Sequence, residues 1–450
     1  MSDHGDEYLR RAVSLELVTA RDSERDQRRA AAALAAMGIG VGDRVAVIAG
    51  SSPAFLAVVL GALRTGIVPV LLNPALLPVE QERLLTDADP ALVLRDADVG
   101  ALVAGEGEAE LADVPLARPM MYTSGTTGTP KGVWTGVLDE RDARALVDEE
   151  RELWEFAVDD RNLVVSPLSH SAPLRFAGGT LLAGGDVVLG GPFDPGRFAA
   201  AMQEHAPTTA FVVPAHLQRL FAGDDVPPLS SFRLIAHAGA PCPDPLKLRT
   251  LDAFPDGSVW EFYGSTEGQF TACPPDDWLA HPGTVGQARP GRALETDDDA
   301  IVWCRMPRHA RFEYWRDPVK TAAAWRDDWL TVGDVGRLDV GFLFLDGRRD
   351  DLIISGGVNV YPLEIERVLL AHPGVQEAAV FPVDDDRWGQ MVVAAVVADV
   401  EPAALDAHAR EHLAPYKCPK RVVVVEAIPV SPTGKVRRST LAADLGVETP

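Results

Sequence analysis

The chain has 450 residues, of which 47% are hydrophobic and 24% are charged, which is typical of a globular protein with two or more domains. Its formal net charge of −24 argues against nucleic acid as a partner, because such binding depends on lysine and arginine neutralising phosphates. The four cysteines lack the paired spacing of zinc or redox motifs, and the acidic N-terminus leads into no apolar run. We therefore expect a reduced cytoplasmic protein without a secretory signal.

The first large region alternates short β-branched runs with helical stretches. Its most apolar part, residues 45–79, is interrupted by serine, arginine, glycine and proline, whereas a membrane span needs about 20 apolar residues in a row. We interpret it as buried core and expect no membrane span. The alternation predicts parallel sheets covered by helices. Predicted strands are 44–48, 68–72, 163–165, 187–189, 210–213 and 234–236, and predicted helices include 28–36, 53–63, 197–204 and 245–253.

The pattern changes towards the C-terminus. Residues 283–344 carry short strands and turns without long helices, which predicts a small β-rich subdomain. The last hundred residues mix predicted helices (364–370, 402–413) with predicted strands (378–383, 391–397), and this length suffices for a small domain. We predict an α/β protein with a large N-terminal domain (1–349) followed by a small, mobile α+β domain (350–450).

A strand ending at Tyr122 runs into a loop rich in glycine and hydroxyl residues. Backbone N–H groups and hydroxyls in such a loop converge on an anion, and Lys131 adds a mobile positive charge. The loop is not a Walker loop, because Lys131 lies between Pro130 and Gly132 rather than before Ser or Thr. The predicted phosphate-binding residues are Thr123, Ser124, Gly125, Thr126, Thr127, Gly128 and Lys131.

This string resembles the pyrophosphate-binding loop of the adenylate-forming superfamily: acyl- and aryl-CoA synthetases, adenylation domains of peptide synthetases, and firefly luciferase. Further segments match that superfamily in its order between about residues 25 and 442. One departure is that the usual Gly-Glu strand segment is unrecognisable within residues 299–318. The resemblance implies a ligase that uses ATP, Mg²⁺ and coenzyme A.

Two segments resemble those that hold adenine and magnesium. In residues 261–268, the Tyr263 ring can stack on adenine, the Thr266 hydroxyl can reach the α-phosphate, and Glu267 offers a hard oxygen ligand to Mg²⁺. Small residues in 237–241 permit close approach of a flat base. The resemblance thus adds four nucleotide-binding residues, Gly239, Ala240, Pro241 and Gly264.

Later segments supply the remaining candidates. Asp334 matches the aspartate that holds the ribose, where a carboxylate accepts hydrogen bonds from both hydroxyls, and Arg348 matches a nearby arginine. Lys435, in Ser-Pro-Thr-Gly-Lys, resembles the catalytic lysine, whose charge would bridge the attacking carboxylate and the leaving pyrophosphate. The resemblance also implies the following: His170 near the acyl carboxylate, a hinge at Asp350, Gly357 along the pantetheine tunnel, and Trp388, Lys417 and Lys420 on the thiol-acceptor face.

The predicted function is ATP-dependent ligation of a small carboxylic acid to CoA through an acyl-adenylate. Short matches at residues 240–243 and 278–283 look most like fatty-acid- and bile-acid-type CoA ligases, which favours an apolar or aromatic acid. A carrier protein or another nucleophile could replace CoA as the acceptor. A non-catalytic nucleotide-binding protein is the alternative of a different class. The pair His408 and His412 also fits a zinc-binding helix, but the sequence offers no third ligand.

Overall fold

The structure is a computed structural model that describes residues 15–123, 130–223, 226–385, 387–430 and 436–447. The predicted parallel, helix-covered sheets are present, so the predicted α/β fold class is confirmed.

The strands, in chain order, are Glu16–Val18 (β1), Arg44–Ile48 (β2), Val68–Leu71 (β3), Leu92–Arg95 (β4), Met120–Thr123 (β5), Lys131–Trp134 (β6), Arg161–Val164 (β7), Asp186–Leu189 (β8), Thr209–Val212 (β9), Leu234–His237 (β10), Val259–Glu261 (β11), Thr271–Ala272 (β12), Gln287–Ala288 (β13), Ala293–Thr296 (β14), Val302–Arg305 (β15), Glu313–Tyr314 (β16), Trp325–Arg326 (β17), Trp329–Leu330 (β18), Asp334–Asp339 (β19), Phe342–Arg348 (β20), Ile353–Ser355 (β21), Val358–Val360 (β22), Val375–Asp385 (β23), Gly389–Ala398 (β24) and Arg421–Val424 (β25).

The α-helices, in chain order, are Ala20–Ala36, Pro53–Arg64, Pro78–Ala88, Asp96–Val103, Glu140–Trp154, Ser171–Leu182, Pro195–His205, Pro214–Phe221, Asp244–Ala253, Pro275–Ala280, Pro318–Ala324, Pro362–Leu370, Pro402–His412 and Arg438–Asp444.

Two large sheets build the N-terminal region. One has the order β1–β8–β7–β9–β10–β11, parallel except for the edge strand β1. The other has the order β16–β6–β5–β3–β2–β4, in which β5, β3, β2 and β4 are parallel, β6 runs antiparallel to β5, and β16 runs antiparallel to β6. Helix Pro53–Arg64 is buried from Phe55 to its end, which confirms that the apolar region is core. Ser52 starts this helix by accepting a hydrogen bond from the Phe55 amide at 3.1 Å.

The predicted β-rich subdomain is also present. Strands β14, β15, β18 and β17 form an antiparallel sheet, and β19 pairs with β20 to form a ribbon. The ribbon leads through a short 3₁₀ turn, Arg349–Asp351, into the C-terminal region. Asp350 lies in that turn, and the domain boundary there stays a prediction.

The C-terminal region has its own sheet and its own apolar core. Strands β22, β21, β24 and β23 follow one another, and β25 joins β24 in parallel. Helices Pro362–Leu370 and Pro402–His412 contribute to one apolar cluster of this region, whereas helix Arg438–Asp444 contributes to the other. The sequence predicts the first two of these helices and strands β23 and β24 with small differences at their ends, whereas strands β21, β22 and β25 and helix Arg438–Asp444 were not predicted.

A buried charge cluster, which we call the Arg289 cluster, links helix Glu140–Trp154 to the chain after β13. Arg289 is fully buried, and its guanidinium lies 2.8 Å from a Glu150 carboxylate oxygen and 3.0 Å from one of Glu149. Arg292 lies 2.7 Å from Glu149, and Arg175 lies 3.0 Å from Glu150. Three guanidinium groups therefore share two carboxylates in a dry environment.

The Arg289 cluster predicts acid sensitivity. Burial raises the pKa of Glu149, but His309, Arg289 and Arg292 outweigh it and lower this pKa to about 2, below its ordinary 4.5. Stability from a depressed carboxyl pKa is present above pH 4.5 and is lost as the pH falls towards 2. From the linkage relation, we expect Glu149 to account for a loss of about 2 kcal/mol in unfolding free energy between pH 7 and pH 3.

Urea unfolding at both pH values measures this loss. Glu149→Gln is the control: it should be less stable than the parent at pH 7 but should lose about 2 kcal/mol less on acidification. An equal loss in both proteins would contradict the assignment to Glu149.

All four cysteines are free. Cys273, Cys304 and Cys418 are buried and Cys242 is half-buried. Burial raises the pKa of Cys242, Cys273 and Cys304 to about 12. Within the described ranges, no helix has the length and apolar character needed to cross a membrane.

Candidate active site

The candidate nucleotide residues lie beyond the carboxyl ends of neighbouring parallel strands. Strand β10 ends at His237 and β11 ends at Glu261, and these two residues are register partners. The carboxyl edge of a parallel sheet is where open α/β folds bind ligands. The loop after β10 and the hairpin after β11 therefore start side by side.

Tyr263, Asp334 and Arg348 form one hydrogen-bonded group. The Tyr263 hydroxyl donates to Asp334 Oδ2, and Arg348 Nε donates to Asp334 Oδ1 at 2.9 Å. Asp334 begins β19 and Arg348 ends β20, so the ribbon pairs them directly. Burial raises the pKa of Asp334, against the opposing effects of Arg348 and Tyr263. The structure thus brings together three residues that lie 71 and 14 positions apart in sequence.

Glu267 is held at the tip of the hairpin that follows β11. The turn is closed by a 2.7 Å hydrogen bond from the Ser265 amide to the Gly268 carbonyl. Glycine is required at 264, because a Cβ there would lie 2.6 Å from the Gly268 carbonyl oxygen. The Glu267 side chain is buried, and its Oε1 accepts a 3.0 Å hydrogen bond from the Tyr314 hydroxyl. Thr266 is half-buried in the same turn.

Tyr314 contacts the candidate metal ligand Glu267 but was not predicted from the sequence. It lies in β16, inside the segment 299–318 where the expected pattern is unrecognisable, and it pairs with Val133 of β6. It therefore links Glu267 to the strand that begins at Lys131. The alternation Phe312-Glu313-Tyr314 was a local sign of a strand, but nothing in the sequence assigned it a partner.

The phosphate-loop prediction is only partly described. Thr123 ends β5 and Lys131 begins β6, and the two are antiparallel register partners, so the loop between them starts and ends at one point. Ser124, Gly125, Thr126, Thr127 and Gly128 lie outside the described residues. Lys131 is half-buried.

Family models match both parts of the chain. The model of the AMP-binding enzyme family matches residues 10–300, and that of the AMP-binding enzyme C-terminal domain matches residues 364–435. The chain belongs to the AMP-binding enzyme family. The predicted resemblance to adenylate-forming enzymes is confirmed.

Curated relatives cover nearly the whole of this AMP-binding enzyme. The 2-succinylbenzoate–CoA ligase of Geobacillus kaustophilus is 32% identical over 91% of this chain and 89% of its own. The feruloyl-CoA synthase of an Amycolatopsis species is 33% identical over 95% and 94%.

A solved structure of a relative is similar to this chain over nearly its whole length. The o-succinylbenzoate–CoA synthetase of Bacillus subtilis, in complex with its acyl-adenylate, has a TM-score of 0.81 at 28% identity over 92% of this chain and 91% of its own. A second structure of this synthetase, in complex with ATP and a magnesium ion, has a TM-score of 0.78 at 27% identity over 92% of each chain. The predicted class, an AMP-forming acid–thiol ligase using ATP, Mg²⁺ and CoA, is confirmed.

The AMP-binding enzyme leaves room for a flat base after β10. Gly239 has a φ of +90°, a left-handed conformation that favours glycine. Gly239, Ala240 and Pro241 are exposed. A ligand can therefore approach their backbone closely, which fits the predicted adenine contact.

The residues present also fit Mg²⁺. In the described segments, no group of three or more His, Cys, Asp or Glu side chains could hold a metal by itself. Mg²⁺ is ordinarily bound by one or two carboxylates plus substrate phosphates and water, so a single Glu267 beside ATP matches its chemistry. The zinc hypothesis for His408 and His412 finds no third ligand within those segments.

The remaining candidates lie in three places. His170 occupies the N-cap position of helix Ser171–Leu182 and is half-buried. Gly357 lies in the exposed β21–β22 turn with open space where a Cβ would be. Near this turn, a Cβ at Gly356 would lie 2.9 Å from the Trp388 ring, and Lys420 Nζ lies 5.2 Å from the centre of that ring.

Lys417 Nζ forms an ion pair with Glu364 at 2.5 Å. Lys435 lies outside the described residues.

Proposed function

We propose that this protein activates a carboxylic acid with ATP and transfers the acyl group to coenzyme A. The observation that carries the proposal is the joining of Tyr263, Asp334 and Arg348 next to a buried Glu267, in a chain whose relatives are CoA ligases.

The first half-reaction forms a mixed anhydride. A carboxylate oxygen attacks the α-phosphorus of ATP, the bond to the β-phosphate oxygen breaks, and pyrophosphate leaves. Negative charges are forced together, so cations lower the barrier. We assign Lys131 to the leaving phosphates and Lys435 to the bridging charge. Thr266 would donate its hydroxyl to the α-phosphate. Mg²⁺ held by Glu267 would neutralise phosphate charge.

The second half-reaction forms the thioester. The CoA thiol gives up its proton to water, its sulfur attacks the acyl carbon, the bond from that carbon to the phosphate oxygen breaks, and AMP leaves. We propose that the thiol arrives past Gly357, in the turn beside Trp388 and Lys420, and that the chain rotates at Asp350 between the two steps. His170 would orient the acyl carboxylate. Four free cysteines are typical of a reducing compartment, which supports a cytoplasmic location.

Asp334 gives a prediction for the ribose. Replacing it by asparagine keeps the size but removes the charge, and a hydrogen bond to a charged group contributes about 1.5–3 kcal/mol. We therefore expect Asp334→Asn to raise KM for ATP by at least about tenfold. Steady-state kinetics with ATP and 2′-deoxy-ATP measures this: the parent should discriminate against 2′-deoxy-ATP, and the variant should discriminate much less.

Tyr263→Phe is the matched control, because it removes the hydroxyl that contacts Asp334 but keeps the ring. It should retain the discrimination. If Asp334→Asn discriminates as strongly as the parent, Asp334 does not hold the ribose.

The products of the reaction test the proposed function directly. Purified protein is incubated with Mg-ATP and a panel of fatty, aromatic and dicarboxylic acids, with and without CoA, and products are identified by mass spectrometry. Lys435→Ala is the inactive variant, and Arg410→Ala, on the exposed surface of helix Pro402–His412, is the control cation. AMP plus an acyl-CoA, lost only in Lys435→Ala, is the expected result.

The other outcomes separate the alternatives. Formation of acyl-adenylate without a thioester would indicate that the acyl acceptor is a carrier protein or another nucleophile and not CoA. Absence of ATP turnover with every acid would overturn the proposal for this panel and favour a nucleotide-binding protein. An apolar or aromatic acid is the expected substrate class.

A further inference from the structure

Three buried polar side chains meet beneath the carboxyl edge of β10 and β11. Lys247 Nζ lies 2.5 Å from His237 Nε2 and 3.1 Å from Glu261 Oε2. Lys247 and His237 are fully buried and Glu261 is nearly so. We call these residues the Lys247 cluster. The sequence gives no sign of it, since the three positions lie in a strand, a helix and another strand.

The composition of the Lys247 cluster is not what stability alone favours. Burying charged groups is destabilising unless they are well paired, and apolar replacements of a buried ion pair are often neutral or stabilising. With Lys247 donating to Nε2, a neutral His237 carries its proton on Nδ1. That atom is buried and has no hydrogen-bond partner in the described part of the chain. A buried donor without an acceptor is destabilising.

The position of the Lys247 cluster indicates what it does. His237 is the first residue of segment 237–241, and Glu261 is the first residue of segment 261–268. Both are proposed nucleotide-binding segments. The backbone of Glu261 also exchanges hydrogen bonds of 3.0 and 2.8 Å with Cys273, which closes the hairpin that carries Tyr263 and Glu267.

Lys247 connects further elements to this edge. It lies on helix Asp244–Ala253, which begins directly after the 238–243 loop. Its Nζ lies 5.8 Å from the ring centre of the buried Trp278 in helix Pro275–Ala280. A single ammonium group on one helix therefore contacts both strand ends and lies near an aromatic ring of a second helix.

We propose that Lys247 is a positioning residue that sets the two nucleotide-binding segments, 237–241 and 261–268, at a fixed separation for the base. The inference rests on the proposed function and names a further residue for the same site. The Lys247 ammonium group donates hydrogen bonds to one side chain on each strand. Such directed bonds fix the relative position of the strand ends more narrowly than apolar packing, which tolerates small shifts.

Direct nucleotide binding tests the proposal. AMP binding to the full-length protein is measured by calorimetry for the parent, Lys247→Met and Leu248→Met, an exposed control on the same helix. We expect Lys247→Met to raise Kd for AMP and KM for ATP about tenfold, equivalent to about 1.4 kcal/mol. KM for CoA should stay within about twofold, and Leu248→Met should match the parent.

A second variant separates positioning from stability. Lys247→Met with Glu261→Gln removes both formal charges, so it should unfold at about the parent's temperature or higher. The proposal expects this double variant to remain as weak in AMP binding as Lys247→Met. Recovery of parental AMP affinity together with stability would mean a structural role only and would overturn the proposal, as would unchanged AMP affinity in Lys247→Met. Because AMP binding requires neither acid nor CoA, this test is independent of the ligase reaction.

Discussion

Replacing Glu267 by glutamine is expected to lower kcat/KM for adenylate formation by roughly 100- to 1,000-fold, the range seen when one group that stabilises transition-state charge is removed. The carboxylate is buried in the hairpin after β11 and is oriented by Tyr314. Glutamine keeps the shape and one oxygen but removes the negative charge that strengthens Mg²⁺ binding. The ATP–pyrophosphate exchange rate measures the loss.

The magnesium dependence makes this prediction specific. Glu267→Gln should require a higher Mg²⁺ concentration for half-maximal exchange, whereas a residue that acts only on folding should leave that concentration unchanged. Tyr314→Phe is the matched control, because it removes only the hydroxyl that orients Glu267. Loss of an outer-shell hydrogen bond to a metal ligand lowers metal affinity or activity about 10- to 100-fold, so we expect Tyr314→Phe to have a smaller effect than Glu267→Gln. An unchanged Mg²⁺ requirement in Glu267→Gln would exclude Glu267 as the ligand.

The second large effect is on stability. Glu150→Gln is expected to lower the free energy of unfolding by about 3–5 kcal/mol, because removing one partner leaves buried charges uncompensated. Glu150 accepts from Trp154 Nε1 at 3.0 Å and contacts Arg289 at 2.8 Å and Arg175 at 3.0 Å. The Arg289 cluster already has three guanidinium groups for two carboxylates, so losing a carboxylate is the damaging direction.

Urea unfolding at pH 7 provides the measurement. Glu140→Gln is the matched control on the same helix: Glu140 is 72% exposed and pairs with Arg144 at 2.9 Å, so its loss should cost below about 0.5 kcal/mol. Adding Arg175→Met to Glu150→Gln should recover part of the stability, because it removes an unpaired positive charge. If Glu150→Gln is no less stable than Glu140→Gln, the stability of the Arg289 cluster does not depend on the negative charge of Glu150.

Local patterns in the sequence predict most of the fold. Residues 44–48 and 234–236 are short β-branched runs between helical stretches, and such runs form buried parallel strands wherever helices cover both faces. The glycine- and hydroxyl-rich string before Lys131 is equally local, because its chemistry depends on consecutive residues.

The parts that could not be predicted depend on contacts between distant segments. Tyr314 reaches Glu267 across 47 positions, and Arg289 reaches Glu150 across 139. Nothing near either residue in sequence encodes its partner. Lys247 has the same property, since its helix would carry an exposed lysine equally well. The pairing of Asp334 with Arg348 was accessible only through the family resemblance, although the ribbon that joins them is local.

Three of the four cysteines are buried and Cys242 is half-buried, so we expect the native protein to react slowly with alkylating reagents. Thiolate is the reactive form, and a pKa of about 12 for Cys242, Cys273 and Cys304 leaves almost none of it at neutral pH. A cysteine introduced at an exposed site such as Val340, which is 84% exposed, would thus react with a maleimide well before these three. Fluorophores attached in this way could test in real time whether the chain rotates at Asp350 as proposed, with little competing reaction at the natural thiols.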